Sequence, residues 1–154
     1  MALAAEQIVE TRPLSRGERR LALVLRLFAL LFAIGAVLFL FQPEDTVARL
    51  NGPGALVGLP PLPPSDRPVS SDFWFALAIA NMATITACSW LAAGDVRRRR
   101  ALVYPVVVSK LVSSGTGLLL FVRWVHTFPF AATALVDLPI AVILILALRA
   151  ARPD

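Results

Sequence analysis

The sequence predicts an all-α fold, an antiparallel bundle of four transmembrane helices with both termini on the cytoplasmic side. Three observations carry this reading. Hydrophobic residues make up 58% of the 154-residue chain and its mean hydropathy is +0.75, above the roughly 45–50% apolar share of soluble domains. The excess is concentrated in four apolar runs, each close to the ~20 residues a bilayer-crossing helix needs. The arginines gather at the ends of those runs, as topology signals do.

Residues 1–20 form a polar cytoplasmic segment, with Arg12, Arg16, Arg19 and Arg20 just ahead of span one. That span runs from Leu21 to Phe41, and its Arg26 sits near enough to the end to snorkel toward the headgroups. Its apolar core exceeds the roughly 7–15 residues of a signal peptide, so we expect it to be retained rather than cleaved after "TVA" at 46–48. Residues 42–71, which hold seven of the twelve prolines, are expected to be a loop, and the arginine distribution described below places it on the extracytoplasmic side. Its core "GLPPLPPSDRP" reads as a stiff polyproline-like strap. The PxxP spacing within it also suits a docking element for a partner protein.

Span two covers 73–93, with Asp72 placed to cap its start and Gly94 to end it in a left-handed conformation. Span three covers 101–122 and span four 128–148, followed by a cytoplasmic tail, 149–154. The connectors "GDVRRRR" and "RWVHTF" are short, so spans two, three and four are expected to pack as sequential neighbours. Eleven arginines (12, 16, 19, 20, 26, 97–100, 149 and 152) then lie on one side and three (49, 67 and 123) on the other, which sets the orientation.

Ionisable groups inside spans are costly and need a partner or a purpose. Lys110, the only lysine, is nine residues into span three; Asp137 is nine residues into span four. Each is about 13–14 Å from its end of the span, so both fall near the midplane of a core about 30 Å thick and are expected to pair. Ser113, Ser114 and Gly117 follow Lys110 at helical spacing, Thr133 lies one turn before Asp137, and Asn81 with Thr84 reaches similar depth on span two. Pro139 leaves the Leu135 carbonyl without its helical donor, as an acceptor for Lys110, Asn81 or water. Lys110, Asp137, Asn81, Thr84, Ser113, Ser114 and Thr133 are therefore the candidate ligand-binding residues. The competing reading is packing, in which polar and small side chains simply let helices approach.

The block Arg97, Arg98, Arg99 and Arg100 reads as a topology determinant that also suits anionic lipid headgroups. No nucleic-acid partner is expected despite the formal charge of +5. Cys88 is the only cysteine and His126 the only histidine, so neither a disulfide nor a metal site is expected. No nucleophile-elbow, zinc-binding HExxH or phosphate-loop motif occurs, and no catalytic residue or cofactor is assigned.

The stretches "FWFALAIANMATITACSW", "RALVYPVVVSKLVSSG" and "ALVDLPIAVILILALR", with the short arginine connector, resemble small bacterial four-helix membrane proteins of the DoxX-like kind. The arginine- and alanine-rich style also points to a bacterial chain. The resemblance implies a compact four-helix bundle in the inner (cytoplasmic) membrane and transfers no site. Some of that group are associated with respiratory or quinone-linked oxidoreductases, an analogy of fold only. The expected role is a non-enzymatic membrane subunit or partner-binding protein, in contact with the lipid bilayer and with a membrane-protein partner or further copies of itself. The alternative is an oligomeric binding or transport unit for a small polar or amphipathic ligand such as a quinone. A third reading makes Lys110 a buried general base, but Asp137 beside it would keep it charged.

Overall fold

Helix α1, Arg16–Phe41, opens on a capping box: the Ser15 hydroxyl accepts from the Glu18 N–H at 3.2 Å, and the Ser15 N–H donates to Glu18 Oε2 at 2.7 Å. Two otherwise orphaned donors are satisfied reciprocally, so the helix begins five residues before the apolar run. This computed structural model describes residues 13–62, 69–124 and 126–151, with the side chains of 69–72 set aside. Leu21, Leu25, Phe28 and Phe32 form the buried stripe of α1, at the four-three spacing of one helix face.

The stretch expected to be a loop carries a helix instead. Helix α2, Pro43–Leu56, starts with Pro43 in its first turn beside Glu44 and Asp45. Proline there loses no hydrogen bond, and acids favour a helix N-terminus. After Gly58, whose φ is +74°, the chain turns back. Asn51 holds Leu62 from both sides, accepting its N–H at 3.0 Å and donating to its carbonyl at 3.4 Å. The polyproline-like reading of 58–68 concerns residues beyond this helix, and 63–68 of it lie outside the described residues.

Helix α3, Val69–Gly94, begins three residues before Asp72, which is therefore inside the first turn rather than at the cap. Gly94 ends it without a positive φ; among the described residues only Gly58 has one. A 3₁₀ turn, Arg100–Leu102, leads into α4, Val103–Arg123, and α5 is Phe128–Ala150. The described chain is helical without a strand. Four of its helices (α1, α3 from Phe73, α4 with its 3₁₀ lead-in, and α5) are long and apolar enough to cross a membrane, as in a multi-pass membrane protein.

Helix α1 packs chiefly on α3 and also on α5, while α4 packs chiefly on α5. The α3–α4 contact is smaller than its tight connector suggests, because α1 takes most of the α3 surface. The fully buried core gathers at one end, where Leu21, Leu25, Ala92, Val103, Val106 and Leu144 meet. Three glycines sit at close approaches, Gly54 beside the Phe128 Cβ among them. A methyl group at Gly17 would lie 2.0 Å from the Ala150 carbonyl oxygen, and one at Gly117 would lie 1.7 Å from Thr133 Oγ1.

Gly17→Ala and Gly117→Ala are each expected to lower stability by about 1–3 kcal/mol through overpacking, read as thermal unfolding in a mild detergent. Gly115, which has nothing within 4 Å, is the control. Gly115→Ala should be neutral or stabilise by up to about 1 kcal/mol through helix propensity.

Candidate functional site

Lys110 sits two turns into α4 and Asp137 is mid-way along α5, so the extensive α4–α5 contact brings the two side chains together. Lys110 Nζ donates to Asp137 Oδ1 at 2.9 Å, and the Ser113 hydroxyl donates to Asp137 Oδ2. Both carboxylate oxygens are thus engaged. The Ser113 oxygen also lies 3.1 Å from the Lys110 carbonyl, an acceptor that the Ser114 hydroxyl reaches at 2.7 Å. From α1, the Phe32 ring covers the ammonium, 4.5 Å from Nζ to the centroid, and Phe28 stacks on Phe32 with centroids 6.0 Å apart.

The lysine and aspartate side chains are only 11% and 14% exposed. An opposite charge, a hydroxyl and an aromatic face replace the solvation they lose. A cavity of about 360 Å³ lies elsewhere, lined by Leu119, Arg123 and Trp124. Leu119 is nine residues along α4 from Lys110, about 13–14 Å.

The other expected members of the polar layer do not join the pair. Asn81 is exposed and donates to Ser109 Oγ at 3.2 Å, bridging α3 and α4 one residue before Lys110. Thr84 and Thr133 are exposed and bond back to their own helices, to the Ala80 carbonyl at 2.8 Å and the Phe130 carbonyl at 2.7 Å. Helical threonines can satisfy their hydroxyls on their own helix in this way. Among the described residues, no side chain is hydrogen bonded to the Leu135 carbonyl that Pro139 frees. Cys88 is half-buried against the core, and the exposed His126 packs edge-on to Phe121 with centroids 5.6 Å apart. Among the described residues, no three His, Cys, Asp or Glu side chains come together as metal ligands.

The arginine block divides in two. Arg97 Nε donates to Glu18 Oε1 at 2.8 Å, while its Nη2 reaches Glu18 Oε2 and the Pro13 carbonyl, both at 3.0 Å. The Glu18 carboxylate raises the Arg97 pKa further above its ordinary value. Arg100 donates to the Ala151 carbonyl at 2.9 Å and to the Leu148 carbonyl, capping the end of α5. Arg98 and Arg99 are exposed, and the Arg98 N–H is taken by Asp95 Oδ1 at 3.1 Å. Sequence reasoning missed Ser15, Glu18 and Phe32. The "SRGE" capping-box pattern was a local signal for the first two; Phe32 had only its place on the apolar stripe.

Removing one member of the Lys110–Asp137 pair strands the other. Lys110→Met and Asp137→Asn are each expected to cost about 3–5 kcal/mol of stability. The double variant Lys110→Met/Asp137→Asn should cost much less than their sum, measured as a double-mutant cycle of denaturant unfolding in micelles. The Arg97–Glu18 clasp is more exposed, and Glu18→Gln should cost about 1 kcal/mol or less. Compared with protein-family models, curated proteins and solved structures, the chain matches none of them.

Proposed function

We propose that this chain is a non-enzymatic subunit or partner-binding protein of the inner membrane, an antiparallel four-helix bundle with both ends cytoplasmic. The observation that carries the reading is the closed Lys110–Asp137 pair. Both carboxylate oxygens are engaged, the ammonium is covered by Phe32, and little of either side chain remains exposed. A general base or a ligand site needs a reachable group; with so little of either side chain exposed, this pair works as a lock between α4, α5 and α1. The short connectors and the gathering of the α1 start, the α3–α4 connector and the α5 end support the antiparallel arrangement. The arginine imbalance supports the orientation.

The contact face belongs to α3. Asn81 lies eight residues after Phe73, about 12 Å into the span, where an exposed amide faces hydrocarbon. Its single hydrogen bond, to Ser109, leaves the amide oxygen and one N–H unspent. Polar side chains at such depth associate helices by hydrogen bonding across them, and small residues let the backbones approach. Ala80, Ala83, Thr84 and Ala87 are exposed around Asn81 on the same helix. The DoxX-like resemblance adds a reading of fold alone.

Gentle detergent extraction from the native membrane is expected to bring down a stoichiometric membrane-protein partner or a second copy of the chain. Asn81→Leu should weaken that association by roughly fivefold, the equivalent of about 1 kcal/mol, with the helix content unchanged. A wild-type chain that comes out alone and monomeric would overturn the reading.

A further inference from the structure

The end of the molecule that gathers the hydrophobic core also gathers positive charge. Arg97 ties the α3–α4 connector to the start of α1 through Glu18 and Pro13, and Arg100 ties it to the end of α5 through Leu148 and Ala151. Three segments distant in sequence therefore share one rim. On that rim Arg16, Arg19 and Arg20 of α1, Arg99 of the connector and Arg149 of α5 are all exposed. The described acids nearby are already engaged: Glu18 by Arg97, and Asp95 by the Arg98 N–H.

We infer that this rim binds anionic phospholipid headgroups through Arg16, Arg19, Arg20, Arg99 and Arg149, whereas Arg97 and Arg100 hold the rim together and take no part in binding lipid. A guanidinium matches phosphate oxygens with paired N–H donors, and anionic lipid attracts basic residues at the edge of a membrane span. The apolar surface beside the charge selects lipid over a soluble polyanion. Leu23 and Leu27 follow Arg20 by three and seven residues on one face of α1, and are 69% and 54% exposed. Leu146 and Val142 precede Arg149 at the same spacings on α5, and are 57% and 45% exposed. A lipid places its phosphate at the arginines and its acyl chains along these side chains. A soluble polyanion uses only the first half of that surface.

The test reconstitutes the full chain in phosphatidylcholine vesicles. It measures the association of spin-labelled phosphatidylglycerol relative to spin-labelled phosphatidylcholine. The wild type should prefer phosphatidylglycerol by roughly fivefold, the effect of about one well-placed arginine contact, and the preference should fall as salt rises. The variant R16Q/R19Q/R20Q/R99Q/R149Q, with helix content checked by circular dichroism, should lose the preference. The variant R49Q/R123Q, which removes charge away from the rim, should keep it, and inorganic phosphate should compete no better than chloride at equal ionic strength. Equal association of the two lipids in the wild type, retention in the rim variant, or equal loss in R49Q/R123Q would each overturn the assignment. Displacement by inorganic phosphate beyond its ionic-strength effect would overturn the lipid source. If the rim variant does not fold, the single variants R99Q and R149Q replace it, each expected to lower the preference and each overturning the assignment if both leave it unchanged.

Discussion

The Lys110 ammonium sits among packed helices with two neighbours against it, Asp137 and Phe32, and a third, Ser113, that holds its counter-ion. Asp137 neutralises its charge, Ser113 occupies the other carboxylate oxygen, and Phe32 closes the remaining side. Each comes with a constraint on backbone position. The ion pair sets how α4 faces α5, and the ring contact sets where α1 crosses them. The energetic weight of such a pair lies less in what it adds than in what its disruption exposes, since an unpaired charge in this environment has nothing to replace water.

Around that centre the packing is uneven. At one end, fully buried leucines and valines meet beneath a ring of polar fastenings: the Ser15–Glu18 capping box, the Arg97–Glu18 bridge, and the Arg100 cap on α5. Gly17 allows α1 to touch the α5 backbone there. Toward the other end Gly117 of α4 lies against Thr133 of α5, and Gly54 of α2 rests on Phe128. The same glutamate serves the helix cap and the arginine bridge, so local helix formation and long-range assembly are coupled through Glu18.

Much of the fold was legible in the residues, for a specific reason. Apolar runs of bilayer length, bounded by arginines and short connectors, have few other solutions. The helix over 43–56 was legible as well, in the proline followed by two acids, but seven prolines in thirty positions outweighed that signal. Proline count is a poor guide to helix content when the prolines sit at a helix start, as Pro43 does. The site was only partly legible. Depth counted along each helix placed Lys110 and Asp137 at comparable levels, yet the same count gave Asn81, Thr84 and Thr133 similar depth without giving their direction.

Direction around a helix axis, and the choice of neighbour, are what the sequence by itself did not determine. It determined that the chain is helical, where its long apolar segments lie, and which residues are chemically unusual, because these follow from local composition and period. Only the tertiary structure decided that Asn81 turns to Ser109, that Phe32 rather than a third polar group covers Lys110, and that Arg97 and Arg100 turn inward while Arg99 stays outside. Those outcomes depend on how the side chains of four helices fill shared space, and no single helix carries that information.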